Sequence, residues 1–196
     1  MAIEGLELSA SHLRGKDQFE PQRSNNAMLV IDGLPGEQGD SKFVELAINT
    51  FSLPKSNHNP TEIHWLNRVF KYAGKRVYDD LTLELNQYVD RDIAAILYAW
   101  YAQVQGDKGP IAQGISDPLL DGALGLARDY KKDADIFLYP PNALTGEMVR
   151  AYELEGVWPQ SVDGGEIDMS SDEPVRMSIN LSIDQMRYLG NNVPTR

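Results

Sequence analysis

Residues 174–188, PVRMSINLSIDQMRY, alternate apolar and polar side chains almost without interruption. Successive side chains of a β-strand point to opposite faces. Val175, Met177, Ile179, Leu181 and Ile183 would therefore share one face, and Arg176, Ser178, Asn180, Ser182 and Asp184 the other. The apolar face calls for a core. The polar face has four possible neighbours: bulk water, a ligand, another copy of the chain, or the bore of something wider.

The same alternation recurs upstream. DDLTLELNQY (79–88) sets Leu81, Leu83 and Leu85 against Thr82, Glu84 and Asn86. AMLVID (27–32) reads as a strand closed by GLPGEQGD (33–40), whose glycines and proline interrupt a ladder. KFVELAINTFSLP (42–54) reads as the next strand, with Val44, Leu46 and Ile48 facing one way and Glu45 and Asn49 the other. KSNHNPTE (55–62) is then a polar loop, and IHWLNRVFKY (63–72) a third strand, the pair forming a long hairpin around that loop. The loop residues Lys55, Ser56, Asn57, His58 and Asn59 would form its projecting end.

After Asp90 the period changes. Ile93, Ile96, Leu97, Trp100 and Val104 fall at helical spacing, with Asp90 as N-cap, Asp92 complementing the helix dipole and Gly106 as the stop. Residues 106–129 are rich in glycine and proline and read as an inserted loop, with PLLDGALGLARD as a short helix weakened by two glycines at ~1 kcal/mol each. ADIFLYP (134–140) and EMVRAYELEGVWP (147–159) follow as strands. The second places Met148, Tyr152, Leu154 and Trp158 on one face and ends at Pro159, which lacks a ladder donor. DGGE (163–166) turns the chain into the opening stretch. About seven strands and one main helix predict a mainly β (α+β) fold, an antiparallel sandwich or barrel with a flanking helix. Residues 26–190 form that domain, preceded by a polar arm (1–25) and followed by a short tail (191–196).

At 196 residues the chain suits one domain. It has no cysteine, so stability is expected from burial and hydrogen bonding alone. The N-terminus lacks the basic and apolar segments of a secretory signal. The longest apolar run, IAAILYAWYA, is about half of the ~20 residues a membrane-spanning helix needs. An unsecreted chain with no membrane partner is the expectation. The net charge of −11 argues against gripping nucleic acid through phosphate contacts. It fits either simple solubility or a surface that lets a polyanion pass without sticking.

No catalytic constellation assembles. His12, His58 and His64 lie in the arm, a loop and a strand, without the helical spacing of a zinc protease. GLPGEQGD opens onto a strand and is followed by no Lys-Ser/Thr pair, so it cannot cradle phosphate at a helix N-terminus. Asp163, Glu166, Asp168, Asp172 and Glu173 supply hard oxygens, but not at the spacing of a twelve-residue calcium loop. NLS (180–182) matches a glycosylation acceptor but lies inside a strand. These residues point to a non-enzyme with no metal and no cofactor.

Three features together resemble the tail tube proteins of contractile-tailed bacteriophages, relatives of the tube proteins of type VI secretion and pyocin-like particles. One is LTLELNQ running into DIAAILYAWYAQV. Another is the strand ending in Gly156, Trp158 and Pro159. The third is a final alternating strand closing on Tyr188. The resemblance covers roughly residues 26–105 and 130–190. It implies a small β-sandwich or barrel whose copies join in hexameric rings, stacked as the inner tube of a contractile tail. The implied partners are further copies of the chain, the tail sheath protein, and baseplate and tail terminator proteins, in a virion assembled in the host cytoplasm. DNA would transit the lumen without specific binding. On this reading Glu84, Asn86, Ser178, Asn180, Ser182 and Asp184 are candidates to face the lumen, and Lys55 to Asn59 to dock ring on ring. The alternatives are a baseplate or tube-initiating protein of the same fold, and a soluble β-rich binding module or hydrolase.

Overall fold

The computed structural model describes residues 22–35, 40–105, 124–140, 148–170 and 172–190. Most of the expected arm, residues 106–123 of the expected insertion and the expected tail lie outside them. In chain order the elements are β1 (Ala27–Ile31), α1 (Asp40–Ala47), β2 (Ile48–Phe51), β3 (Ser56–Trp65), β4 (Arg68–Tyr78) and β5 (Leu81–Asn86). They continue with α2 (Ile93–Val104), α3 (Ala127–Tyr130), β6 (Lys132–Leu138), β7 (Arg150–Asp163), β8 (Arg176–Ser182) and β9 (Gln185–Gly190). Seven strands form one antiparallel sheet in the order β1-β6-β7-β8-β5-β2, with β9 also on β7, while among the described residues β3 and β4 pair only with each other.

The long strand β7 organises this sheet. Its first half pairs with β6 on one side and β9 on the other; its second half pairs with β8. The sheet thus has two leaves, β1-β6-β7-β9 and β7-β8-β5-β2. It curls enough that its two outermost strands, β1 and β2, line a common cleft. Leu81, Leu83 and Leu85 of β5 and Met177, Ile179 and Leu181 of β8 are buried, facing Leu29, Ile31, Ala134, Ile136 and Leu154 of the other leaf in one core. Helix α2 closes that core with Ile93, Leu97 and Trp100, as their spacing dictates. The Trp100 indole satisfies its donor on the Tyr130 carbonyl oxygen at 2.7 Å.

The architecture expected from alternation is the one that forms, with local differences that have physical causes. Residues 42–54 are not one strand. Helix α1 precedes β2, with Val44 and Ala47 buried one turn apart and Leu46 76% exposed. Val44 and Ile48 satisfy both a period of two and an i,i+4 helical pair, and Leu46 decides for the helix. Asp92, not Asp90, caps α2, accepting from the Ala95 amide at 3.0 Å. Pro159 does not end its strand: β7 runs to Asp163, with an irregularity between Pro159 and Ser161 that accommodates the missing donor. Trp158 leaves the face of Tyr152 and Leu154, and Val157 is buried instead, because β7 bulges beside Gly156, whose φ is +67°.

The opening stretch is likewise broken at Ile183–Asp184. Yet Trp158↔Ser182 and Glu155↔Gln185 keep one register along β7, so β8 and β9 are two halves of a single line. Inward-facing residues pass from Met177, Ile179, Leu181 and Ile183 to Met186 across the break. It is therefore the point where the strand crosses from one leaf to the other.

Candidate assembly surfaces

The outward face of the β7-β8-β5-β2 leaf is a hydrogen-bonded polar ribbon. Pairing puts Thr50, Glu84, Ser178 and Asp163 in one row across four strands, and Thr82, Asn180 and Ser161 in the next. Thr50 Oγ1 donates to Glu84 Oε2 at 3.0 Å. Thr82 Oγ1 donates to Asn180 Oδ1 at 2.9 Å, and Asn180 Nδ2 to Ser161 Oγ at 3.1 Å. A third row pairs Asn86 with Arg176. Each side chain has a neighbour at cross-strand distance, so the ribbon is preorganised rather than loosely solvated.

Of the six residues expected on this face, Glu84, Asn86, Ser178, Asn180 and Ser182 share it, by strand parity and register. Asp184 does not. It lies at the break, where its carboxylate accepts from the Lys131 ammonium and sits against Gly156. Thr50, Ser161 and Asp163 belong to the ribbon without a clear sequence signal: Thr50 because its strand is short and irregular, the other two because they follow Pro159, which lacks a ladder donor.

Among the described residues, both lateral edges of this leaf are open. β2 is the last strand of the path, and the second half of β7 has β8 on one side while the ladder to β6 ends at Val157. An open edge presents unpaired backbone donors and acceptors, ready to take a further strand.

The hairpin differs from its expected form. Lys55 to Asn59 are not a projecting end: Ser56 to Trp65 form β3, Lys55 stands at the base, and the turn is at Leu66–Asn67. Asn, His and Pro read as loop residues, yet a two-stranded ribbon tolerates them, and the register shift between His58 and Pro60 absorbs the proline. Pairing of Thr61↔Tyr72, Ile63↔Phe70 and Trp65↔Arg68 gathers Ile63, Trp65, Phe70 and Tyr72 on one face. All four are exposed, Trp65 by 68%. The other face carries the Glu62–Lys71 ion pair at 3.0 Å.

Glu45 and Asp168 titrate away from the usual carboxylate range. Burial raises Glu45, on the wall of the β1–β2 cleft, above the usual carboxylate range; Lys42 partly opposes this and Asp32 adds to it. Asp168, in the connection after β7, lies below that range because the Ser170 hydroxyl and amide both donate to it, at 2.7 and 2.9 Å.

Residues 19–188 match the family model described as phage tail tube protein. The tail tube protein gp19 of Enterobacteria phage T4 is 23% identical over 134 residues, covering 68% of this chain and 74% of gp19. Among solved structures, the tube-terminating cap of the anti-feeding prophage aligns with a TM-score of 0.62 at 16% identity, over 94% of this chain and 99% of the cap chain. A chain of the sheath–tube complex of the extracellular contractile injection system PVC, in its extended state, aligns with a TM-score of 0.58 at 16% identity, over 87% and 92%. At these identities the structural likeness is one of fold.

Proposed function

Because this chain belongs to the phage tail tube protein family, we propose that its copies close into hexameric rings, and that the rings stack as the inner tube of a contractile tail through which DNA leaves the capsid. The observation that carries this reading is the β7-β8-β5-β2 leaf, with its buried apolar face, its hydrogen-bonded polar face and its two open edges. Joining the β2 edge of one copy to the second half of β7 in the next satisfies both edges and continues the polar ribbon around a closed wall. Six of one-and-the-same contact close the circle, so no edge is left to recruit strands at random.

The ribbon then becomes the lumen surface. Duplex DNA carries about one negative charge per ~1.7 Å of axis. A wall bearing Glu84 and Asp163, relieved by Arg176, repels phosphate weakly around the whole circumference, and its hydroxyls and amides keep the surface wet. DNA therefore slides without a binding well. The hairpin, with its exposed apolar face, docks one ring on the next. The sheath surrounds the tube, baseplate and terminator proteins cap it, and the particle is assembled in the host cytoplasm. The chain does no catalysis, and residues 1–25 and 106–129 serve contacts between rings or with the sheath.

Cysteine pairing tests ring closure, since the chain has no cysteine of its own. One cysteine is placed at Asn49 or Phe51 and a second at Ser161 or Asp163. Oxidation of the double variants is expected to give covalent ladders ending in a closed ring, and the single variants none. Double variants that stay monomeric after oxidation contradict the closure. A second reading, a cap or terminator, is favoured by the alignment to the anti-feeding prophage cap over nearly its whole length. Negative-stain images separate the two: the tube subunit gives long uniform tubes, the cap only single rings.

A further inference from the structure

The hairpin and the β7–β8 connection leave the polar leaf at opposite ends. The hairpin base lies where β5 begins: the Asp79 amide donates to the Lys55 carbonyl at 3.0 Å, and β5 starts two residues later at Leu81. The connection lies where β5 ends: Asn86 pairs with Arg176, and the Gln87 amide donates to the Val175 carbonyl at 3.0 Å. β3 has 10 residues against 6 in β5. At ~3.3 Å per residue the hairpin spans about 33 Å, roughly two-thirds longer than β5 beside it.

The two ends carry opposite charge. In a chain of net charge −11, the hairpin over 56–78 holds Arg68, Lys71, Lys75 and Arg76 against a single acid, Glu62, while Lys55 stands beside Asp79 at the base. The connection over 164–173 holds four acids, Glu166, Asp168, Asp172 and Glu173, and no lysine or arginine. Both ends also expose apolar side chains: Trp65 and its row on the hairpin, Ile167 and Met169 on the connection, Met169 at 99%. An exposed apolar patch rimmed by charge of one sign fits a partner patch rimmed by the other.

We propose that the acceptor for the hairpin is the acidic β7–β8 connection of a second copy, stacked head to tail. This rests on the reading of the chain as a stacking ring subunit and names the contact that does the stacking. Like ends repel and unlike ends attract, so the charge pattern sets one polarity for the whole tube. Its cohesion along the axis is salt-sensitive, whereas ring closure through backbone hydrogen bonds is not.

Charge reversal on each side tests this in the full chain. The hairpin variant carries Arg68→Glu and Lys75→Glu, the acceptor variant Glu166→Lys and Asp168→Lys, and a third carries all four changes. Every position is exposed, and unchanged circular dichroism with intact rings by negative stain verifies folding. Each two-site variant is expected to form rings but to need at least ~tenfold more protein than the unaltered chain to stack them. The four-site variant is expected to recover tubes, and raising salt to shorten the unaltered tubes. Unchanged tube length in both two-site variants, or four changes that stack no better than two while rings persist, overturns the proposed contact. Absence of rings in the unaltered chain overturns the ring reading and this contact with it.

Discussion

The Asp184 carboxylate lies directly over Gly156: a β-carbon built on that glycine would stand 2.3 Å from Asp184 Oδ2 and 2.9 Å from Asp184 Cβ. Gly156 also holds φ at +67°, a conformation that L side chains rarely adopt. Both residues sit at the crossing from one leaf to the other. Gly156→Ala is expected to destabilise the chain by about 1–3 kcal/mol, through backbone strain and displacement of Asp184. Urea unfolding of the isolated chain measures this as a lower midpoint with an unchanged slope.

Trp100 is the largest side chain of the core and fully buried. Trp100→Phe leaves the Tyr130 carbonyl without its indole donor and opens a small void, so a loss of about 1–3 kcal/mol is expected. Trp100→Ala removes the packing as well and is expected to cost about 3–5 kcal/mol. Thermal melts that place both variants within a degree of the unaltered chain would contradict this account of how α2 is held.

Glu45 predicts a pH dependence of stability. Its folded-state pKa is raised above its unfolded value, so its favourable contribution is full below the unfolded pKa and is lost as pH rises through the folded one. Once ionised, Glu45 is a partly buried carboxylate in the folded chain that the unfolded chain hydrates freely. Glu45→Gln is therefore expected to raise the melting temperature at pH 7 and to lose that advantage in acid, below the ordinary glutamate range. Parallel melting curves for the two chains across that range would refute the assignment.

Glu84 and Asp184 were grouped by sequence and are separated by structure. Glu84→Lys puts a cation into the ribbon of every copy and is expected to slow DNA ejection, with the delay shrinking as salt is raised. Asp184→Lys sets two ammonium groups together at the leaf crossing and is expected to act through stability or assembly instead. Ejection rates from intact particles distinguish them, and equal rates for the Glu84 variant and unaltered particles would show that the ribbon does not govern passage.

Alternation in β5 and β8 made the wet and dry faces legible, because their period of two has no helical reading and each strand is long enough to show it. Helix α2 was legible for the corresponding reason, with its apolar residues at a period no strand supports. The misread segments are those where two periods coincide or where backbone geometry overrides residue preference. Val44 and Ile48 fit both helix and strand. Asn57, His58 and Pro60 look like loop residues yet lie in a ribbon whose ladder is made by their backbone. The flip at Gly156 and Asp184 was not legible because a bulge preserves pairing while it exchanges faces, and only the partner strand shows where it falls. The open edges are a property of strand order, which alternation does not encode.

An electron cryo-microscopy map of the assembled particle tests the central claim most directly. The expected result is a continuous inner wall in which β2 of each copy is hydrogen-bonded to residues 158–163 of its neighbour, with Glu84, Ser178 and Asn180 facing the bore. A map in which copies touch only through α1, α2 or loops, with both edges of that leaf left unpaired between copies, would contradict it.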